Sequence, residues 1–224
     1  MLCVWTTREA PMLDAIIRKR IDPPLAVIAR HAVKWQISAQ TATVAGFVLG
    51  LGAAALVASQ LYLPAVVVLL LSRFCDGLDG AIARQTRLTD LGGFLDITFD
   101  FIVYAAVVFA FALADPAANA LAAAFLTTSF MGPAATFLAY AIFAAKNGIT
   151  TDIRGSKSLY YLGGLTEGAE TILTLVLMCV FPAWFSVIAV VYGVLCWITA
   201  GTRIAAAVVT FGAIERSPAG EVAQ

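Results

Sequence analysis

Residues 76–100 read DGLDGAIARQTRLTDLGGFLDITFD, and the four aspartates that head and close this stretch decide how the chain folds. The apolar run just before it, residues 61–71, is too short to cross a hydrocarbon core ~30 Å thick, which needs about 20 residues of helix. The helix must therefore continue through Asp76 and Asp79 to about Arg84, and it carries the acids with it. At about 100° per residue, Asp76 and Asp79 fall about 60° apart, with Gly80 and Ala83 on the same side one turn further on. In the next helix Gly92, Asp96 and Asp100 repeat every fourth residue and form a single stripe. The connection from Gln85 to Asp90 is short, so the two helices are antiparallel neighbours whose acidic faces can meet. Depth agrees: at ~1.5 Å per residue, Asp79 and Asp76 lie ~8 and ~12 Å from Arg84, and Asp96 and Asp100 lie ~9 and ~15 Å beyond Asp90.

The rest of the chain has the composition of a membrane protein. Of 224 residues, 61% are hydrophobic and 12% charged, with a mean hydropathy of +0.91, which is too apolar for an ordinary soluble domain. Fourteen Lys and Arg balance fourteen Asp and Glu, so no bulk positive charge attracts nucleic acid, and DNA or RNA is not an expected partner. Cys3, Cys75, Cys179 and Cys196 stand far apart without a C-x-x-C pair, which argues against a zinc site or a disulfide framework.

Six apolar stretches are long enough to be spans, at roughly 42–59, 62–84, 91–114, 117–145, 159–181 and 184–207. Pro64, Asp115-Pro116, Asn147-Gly148 and Phe181-Pro182 punctuate them, and Pro133 is expected to kink the fourth. The hairpin connections near Gln60, Asp115 and Pro182 contain no Lys or Arg. Basic residues gather before the first span, around Arg84 and Arg87, from Lys146 to Lys157, and at Arg203 and Arg216, with Arg73 the exception in position, on the inner half of the second span. By the positive-inside rule both termini, and the acidic site with them, face the cytoplasm. Pro23-Pro24, followed by Leu25, Ile28 and Ala32 opposite Arg30, His31 and Lys34, reads as a short amphipathic helix lying at the interface. Met12 suits the start of this element, so residues 1–11 read as a dispensable extension, and no cleaved secretory signal is expected. The expectation is an all-α integral membrane bundle of six transmembrane helices, in three parts. These are a cytoplasmic segment 1–40 with its interfacial helix, a catalytic domain 41–214, and a cytoplasmic tail 215–224.

Carboxylates are costly at membrane depth and mark function. Four so close together cannot all stay ionised unless cations join them. Oxygen donors without His or Cys favour a hard divalent ion, magnesium or manganese, and four Asp shared between two such ions suit a site that clamps phosphoryl oxygens. Gly77, Gly80, Gly92 and Gly93 leave room for close approach to the backbone, and Arg84 at the water-facing end can take a phosphate bidentately.

These residues match the motif of the CDP-alcohol phosphotransferase family (CDP-alcohol phosphatidyltransferases), D-x-x-D-G-x-x-A-R followed by G-x-x-x-D-x-x-x-D, which the chain resembles at Asp76, Asp79, Gly80, Ala83, Arg84, Gly92, Asp96 and Asp100. Seven residues separate Arg84 from Gly92, one fewer than in the family pattern, and the change falls in the turn. The entry segment Ile37, Ser38, Gln40, Thr41, Val44 and Gly46 is also similar. The resemblance implies a homodimeric enzyme of the bacterial inner membrane that moves a substituted phosphate from a CDP-linked lipid donor, CDP-diacylglycerol in the first instance, to an alcohol acceptor, releasing CMP. It implies that Asp76, Asp79 and Asp96 hold two divalent ions, that Asp100 joins the second ion or acts as general base, and that Gly80, Ala83 and Arg84 contact the nucleotide. Two rivals stand beside it. One is transfer of a CDP-linked head group to diacylglycerol, and the other, outside the family, is a cation or proton transporter using the same carboxylates. Glu167 and Glu170 either bind acceptor, brace the metal site, or are helix-end acids and partners of Arg203. Arg154 and Lys157 either hold the phosphate of acceptor or lipid or serve as positive-inside anchors.

Overall fold

The computed structural model describes residues 13–149 and 165–216, so the sequence readings on residues 1–12, on the loop with Arg154 and Lys157, and on residues 217–224 lie outside the described residues. Every regular element described is helical: α1 (Leu13–Lys34), α2 (Ala39–Ala58), α3 (Tyr62–Gln85), α4 (Asp90–Ala114), α5 (Pro116–Lys146), α6 (Gly168–Val180) and α7 (Phe185–Arg216), the last preceded by a 3-10 turn at Pro182–Trp184. Among the described residues four rods are long and apolar enough to cross a membrane: α2, α4, α5 and the segment Pro182–Ile214. α3 has the length, at 24 residues, but from its midpoint on it carries Arg73, Asp76, Asp79 and Arg84. The described part of the fifth expected span is the 13-residue α6.

Capping and turn chemistry fix the ends. Ser38 opens α2 by accepting the Thr41 amide at 3.1 Å, and Thr89 opens α4 by accepting the Gly92 amide at 3.1 Å. Asp115 opens α5 in the same way at the Ala118 amide, with Pro116 supplying the first-turn residue that needs no N–H. The three hairpin connections lie at one end of the bundle. Gln60 donates to the Ala114 carbonyl at 2.8 Å, and Ser186 donates to the Ala118 carbonyl at 2.9 Å. The short α3–α4 turn therefore lies at the opposite end, with the aspartates.

Lipid is as apolar as leucine, so burial alone does little to join membrane helices, and close packing of small residues takes its place. α2 wedges between α3 and α4 in this way. A Cβ on Gly46 would stand 3.1 Å from the Ser72 carbonyl oxygen, and one on Gly50 would stand 2.6 Å from Val103. Ser72 on α3 donates to the Gly46 carbonyl at 2.6 Å, a bond that side-chain bulk at position 46 would break. Deeper in the bundle, Phe111 of α4 stacks between Tyr62 and Phe185, at 5.6 and 4.4 Å between ring centroids. Ala53, Ala54, Ala122 and Ala123 are buried in this core. Gly46→Val is expected to cost about 1–3 kcal/mol by overpacking, read as a lower melting midpoint in detergent; an unchanged midpoint would disprove the wedge.

Two helix extents differ from the sequence reading. α1 begins ten residues before Pro23 and runs through both prolines, which are exposed. Leu25, Ala29 and Ala32 form its buried face against Ala81 and Ile82 of α3, while Ile28, read as part of the apolar side, is 42% exposed. Gln85 ties the two helices by donating to the Ala26 carbonyl at 2.9 Å. α7 continues past the expected end at Ala207 to Arg216.

Candidate active site

The last turns of α3 and the first three turns of α4 supply the acids. Carboxylate oxygens of Asp76, Asp96 and Asp100 lie within 4.8 Å of one another, so Asp76 of α3 meets the Asp96–Asp100 stripe of α4. Asp79 is not within that group. Its 60° offset from Asp76 turns it toward α2, against Thr43, where it is 6% exposed. Its Oδ2 is buried without a hydrogen-bond partner.

That donor set fits a divalent cation. Oxygens sharing one ion at 2.0–2.6 Å are at most about 4 to 5 Å apart, and a buried carboxylate oxygen without a partner is costly unless something positive completes it. Asp76, Asp96 and Asp100 would hold the ion between α3 and α4, and Asp79 would present its free oxygen from the α2 side.

Arg73, the basic residue inside the second expected span, is part of this site. Its side chain is 8% exposed, Nη1 pairs with Asp100 Oδ1, and the same nitrogen is 3.8 Å from Asp76 Oδ1. Nη2 donates to Ser72 Oγ at 3.0 Å, and the guanidinium lies over the Tyr104 ring, 5.5 Å from its centroid. Tyr104 in turn donates to Asp100 Oδ2 at 3.2 Å, so both Asp100 oxygens are held. Tyr104 continues the Asp96–Asp100 stripe by one more step of four, a signal legible in the sequence. Ser72 and Thr43 carried none, because a cross-helix contact depends on how two helices are rotated.

The motif glycines and Arg84 lie toward the end of the bundle. A Cβ on Gly92 would stand 3.0 Å from the Thr89 hydroxyl that caps α4, and one on Gly80 would stand 3.3 Å from Arg84 Nη1. Ala83 is partly buried beside them. Arg84 itself is about half exposed and 3.9 Å from Asp22 of α1, an exposed pair that a phosphate can displace at little cost.

On its other side Asp100 borders a cavity of about 220 Å³ between α4, α5, α6 and α7, whose lining includes Tyr104, Phe137, Glu167, Thr171 and Arg203. Arg203 is 6% exposed; its Nη1 donates to the Pro133 carbonyl at 3.1 Å, and its guanidinium is 5.9 Å from the Phe137 ring centroid. Of the two glutamates singled out in the sequence, Glu167 is buried and lines this cavity, whereas Glu170 does not line it. The carboxylate cluster thus has the half-exposed Arg84 toward one side and, on the other, a largely apolar recess that carries Glu167 and Arg203.

A family model described as CDP-alcohol phosphatidyltransferase matches residues 36–205. Inner membrane protein YnjF of Escherichia coli (strain K12) is 48% identical over 205 residues, which cover 92% of this chain and 100% of that protein. Archaetidylinositol phosphate synthase of Pyrococcus horikoshii is 35% identical over 98 residues, 43% of this chain and 52% of that protein. The crystal structure of Mycobacterium tuberculosis phosphatidylinositol phosphate synthase with CDP-DAG bound shares the fold, with a TM-score of 0.70 at 21% identity over 88% of this chain and 98% of that one. With the aspartate motif, its helical setting and these relatives in agreement, the chain belongs to the CDP-alcohol phosphatidyltransferase family of membrane enzymes of phospholipid synthesis.

Proposed function

We propose that this enzyme transfers a substituted phosphate from CDP-diacylglycerol to the hydroxyl of a small polar alcohol, releasing CMP. The observation that carries the reading is Asp100, which belongs to the three-carboxylate cluster and also borders the recess lined by Glu167 and Arg203. The donor's pyrophosphate meets the aspartates, its cytidine side lies toward Gly80, Ala83 and Arg84, and the acceptor enters the recess. Two divalent ions, magnesium or manganese, held by Asp76, Asp79, Asp96 and Asp100, would draw charge from the pyrophosphate and favour departure of CMP. Asp100 takes the proton from the attacking hydroxyl as the new phosphate ester forms. Tyr104 and Arg73 fix the orientation of that carboxylate. Arg203, Arg154 and Lys157 suit an acceptor that itself carries phosphate, and Glu167 suits its hydroxyls.

The remaining topology belongs to the same proposal. Six spans, α2 to α7, with three basic-free hairpins at one end, support both termini and the reaction centre facing the cytoplasm, and α1 lies along that interface. The enzyme works as a homodimer in the bacterial inner membrane.

The deciding experiment incubates purified enzyme with CDP-diacylglycerol, magnesium and a panel of labelled alcohols, scoring lipid product and CMP together. Inositol phosphate heads the panel because one relative is named an archaetidylinositol phosphate synthase. Label in a phosphatidyl product with equimolar CMP is expected. CMP formed only when diacylglycerol is supplied with a CDP-linked head group would reverse donor and acceptor, and no CMP from either arrangement would reject the transfer.

A further inference from the structure

Arg73 is the one residue of the acidic site whose charge opposes a metal ion. Its guanidinium stays protonated under all ordinary conditions, it is buried, and it engages Asp100 while lying 3.8 Å from Asp76. Those two acids are members of the only group among the described residues whose oxygens approach closely enough to share an ion. It is also held in place from behind, since Ser72 accepts from Nη2 and is itself bonded to the Gly46 carbonyl across the α2–α3 seam. A side chain so placed is built to stay near the acids.

Charge counting gives the consequence. Four aspartates and one guanidinium sum to three negative charges; one divalent ion leaves one, and a second overshoots to net positive. A pyrophosphate diester brings two negative charges and makes the second ion favourable again. We propose that Arg73 is a resident cation, a positioning residue that steadies Asp100 in the resting enzyme and makes binding of the second divalent ion depend on the nucleotide diphosphate. This rests on the metal reading above and adds an order to it: the first ion binds unaided, and the second is held together with the donor. Even with water-like screening, a unit charge within about 5 Å of a divalent ion changes its affinity by roughly tenfold.

The test is a titration of the purified full-length protein with Mn²⁺, free ion being read by electron paramagnetic resonance, with and without CDP. In the unmodified protein CDP is expected to tighten the second Mn²⁺ by roughly tenfold or more. Arg73→Gln is expected to bind that ion tightly without CDP, shrinking the nucleotide effect, and Arg73→Lys, which restores the charge, is expected to behave like the unmodified protein. Equal second-ion affinity in Arg73→Gln and the unmodified protein, or a Lys variant that matches Gln, overturns the role of Arg73 and leaves the metal site standing. No Mn²⁺ binding by the unmodified protein even with CDP overturns both. If Arg73→Gln fails to fold, Ser72→Ala, which removes the hydroxyl behind Nη2, must shift the second ion in the same direction; an unchanged affinity there overturns the proposal.

Discussion

Asp96→Asn is expected to abolish turnover, lowering CMP release by about three orders of magnitude or more at saturating magnesium. Asp96 is one of the three carboxylates whose oxygens lie within 4.8 Å, and asparagine keeps its size while removing its charge. Losing one anionic donor weakens ion binding, and the ion's contribution to stabilising developing charge is several kcal/mol, each 1.36 kcal/mol being a factor of ten in rate. Asp96 is only partly buried, and the change is isosteric, so the melting midpoint should hardly move. Activity and stability measured on the same preparation therefore separate a lost metal ligand from a lost fold. Near-normal turnover would remove Asp96 from the reaction centre.

Asp100→Asn should behave differently. Its Oδ2 accepts from Tyr104, its Oδ1 pairs with Arg73, and it borders the recess where the acceptor hydroxyl would enter. An amide oxygen can still accept from Tyr104 but cannot take a proton at neutral pH. Removing a general base costs roughly 10²–10⁴-fold in rate, whereas nucleotide contacts at Gly80, Ala83 and Arg84 are untouched. The expected outcome is a large fall in kcat with CDP affinity changed by no more than a small factor. Affinity falling in step with rate would assign Asp100 to metal holding alone.

The helix order and the acidic stripe of α4 were legible because each follows from a one-dimensional pattern. Long apolar runs broken at Gln60, Asp115 and Pro182 gave the rods and their turns, and a four-residue step gave the Asp96–Asp100 stripe. Extents were less legible. Pro23-Pro24 looked like a helix start, yet α1 begins ten residues earlier and passes through them, its next turns buried against α3. The separation of Asp79 from the other three acids, and the recruitment of Arg73, Ser72 and Thr43, depend on how neighbouring helices are rotated about their axes. No spacing along a single chain encodes that angle. Glu167 and Glu170 illustrate the same point: three residues apart in sequence, only one of them lines the recess.

Ser72 has one further consequence. Its single hydroxyl touches the Gly46 carbonyl and the Arg73 side chain at once, so the distance between two rods and the placement of a buried guanidinium are set by the same atom. Descendant sequences cannot drift independently at these sites: a bulkier residue 46 would push residue 72 away and release Arg73. Positions 46, 72 and 73 should therefore change in concert across related chains, as one inherited unit.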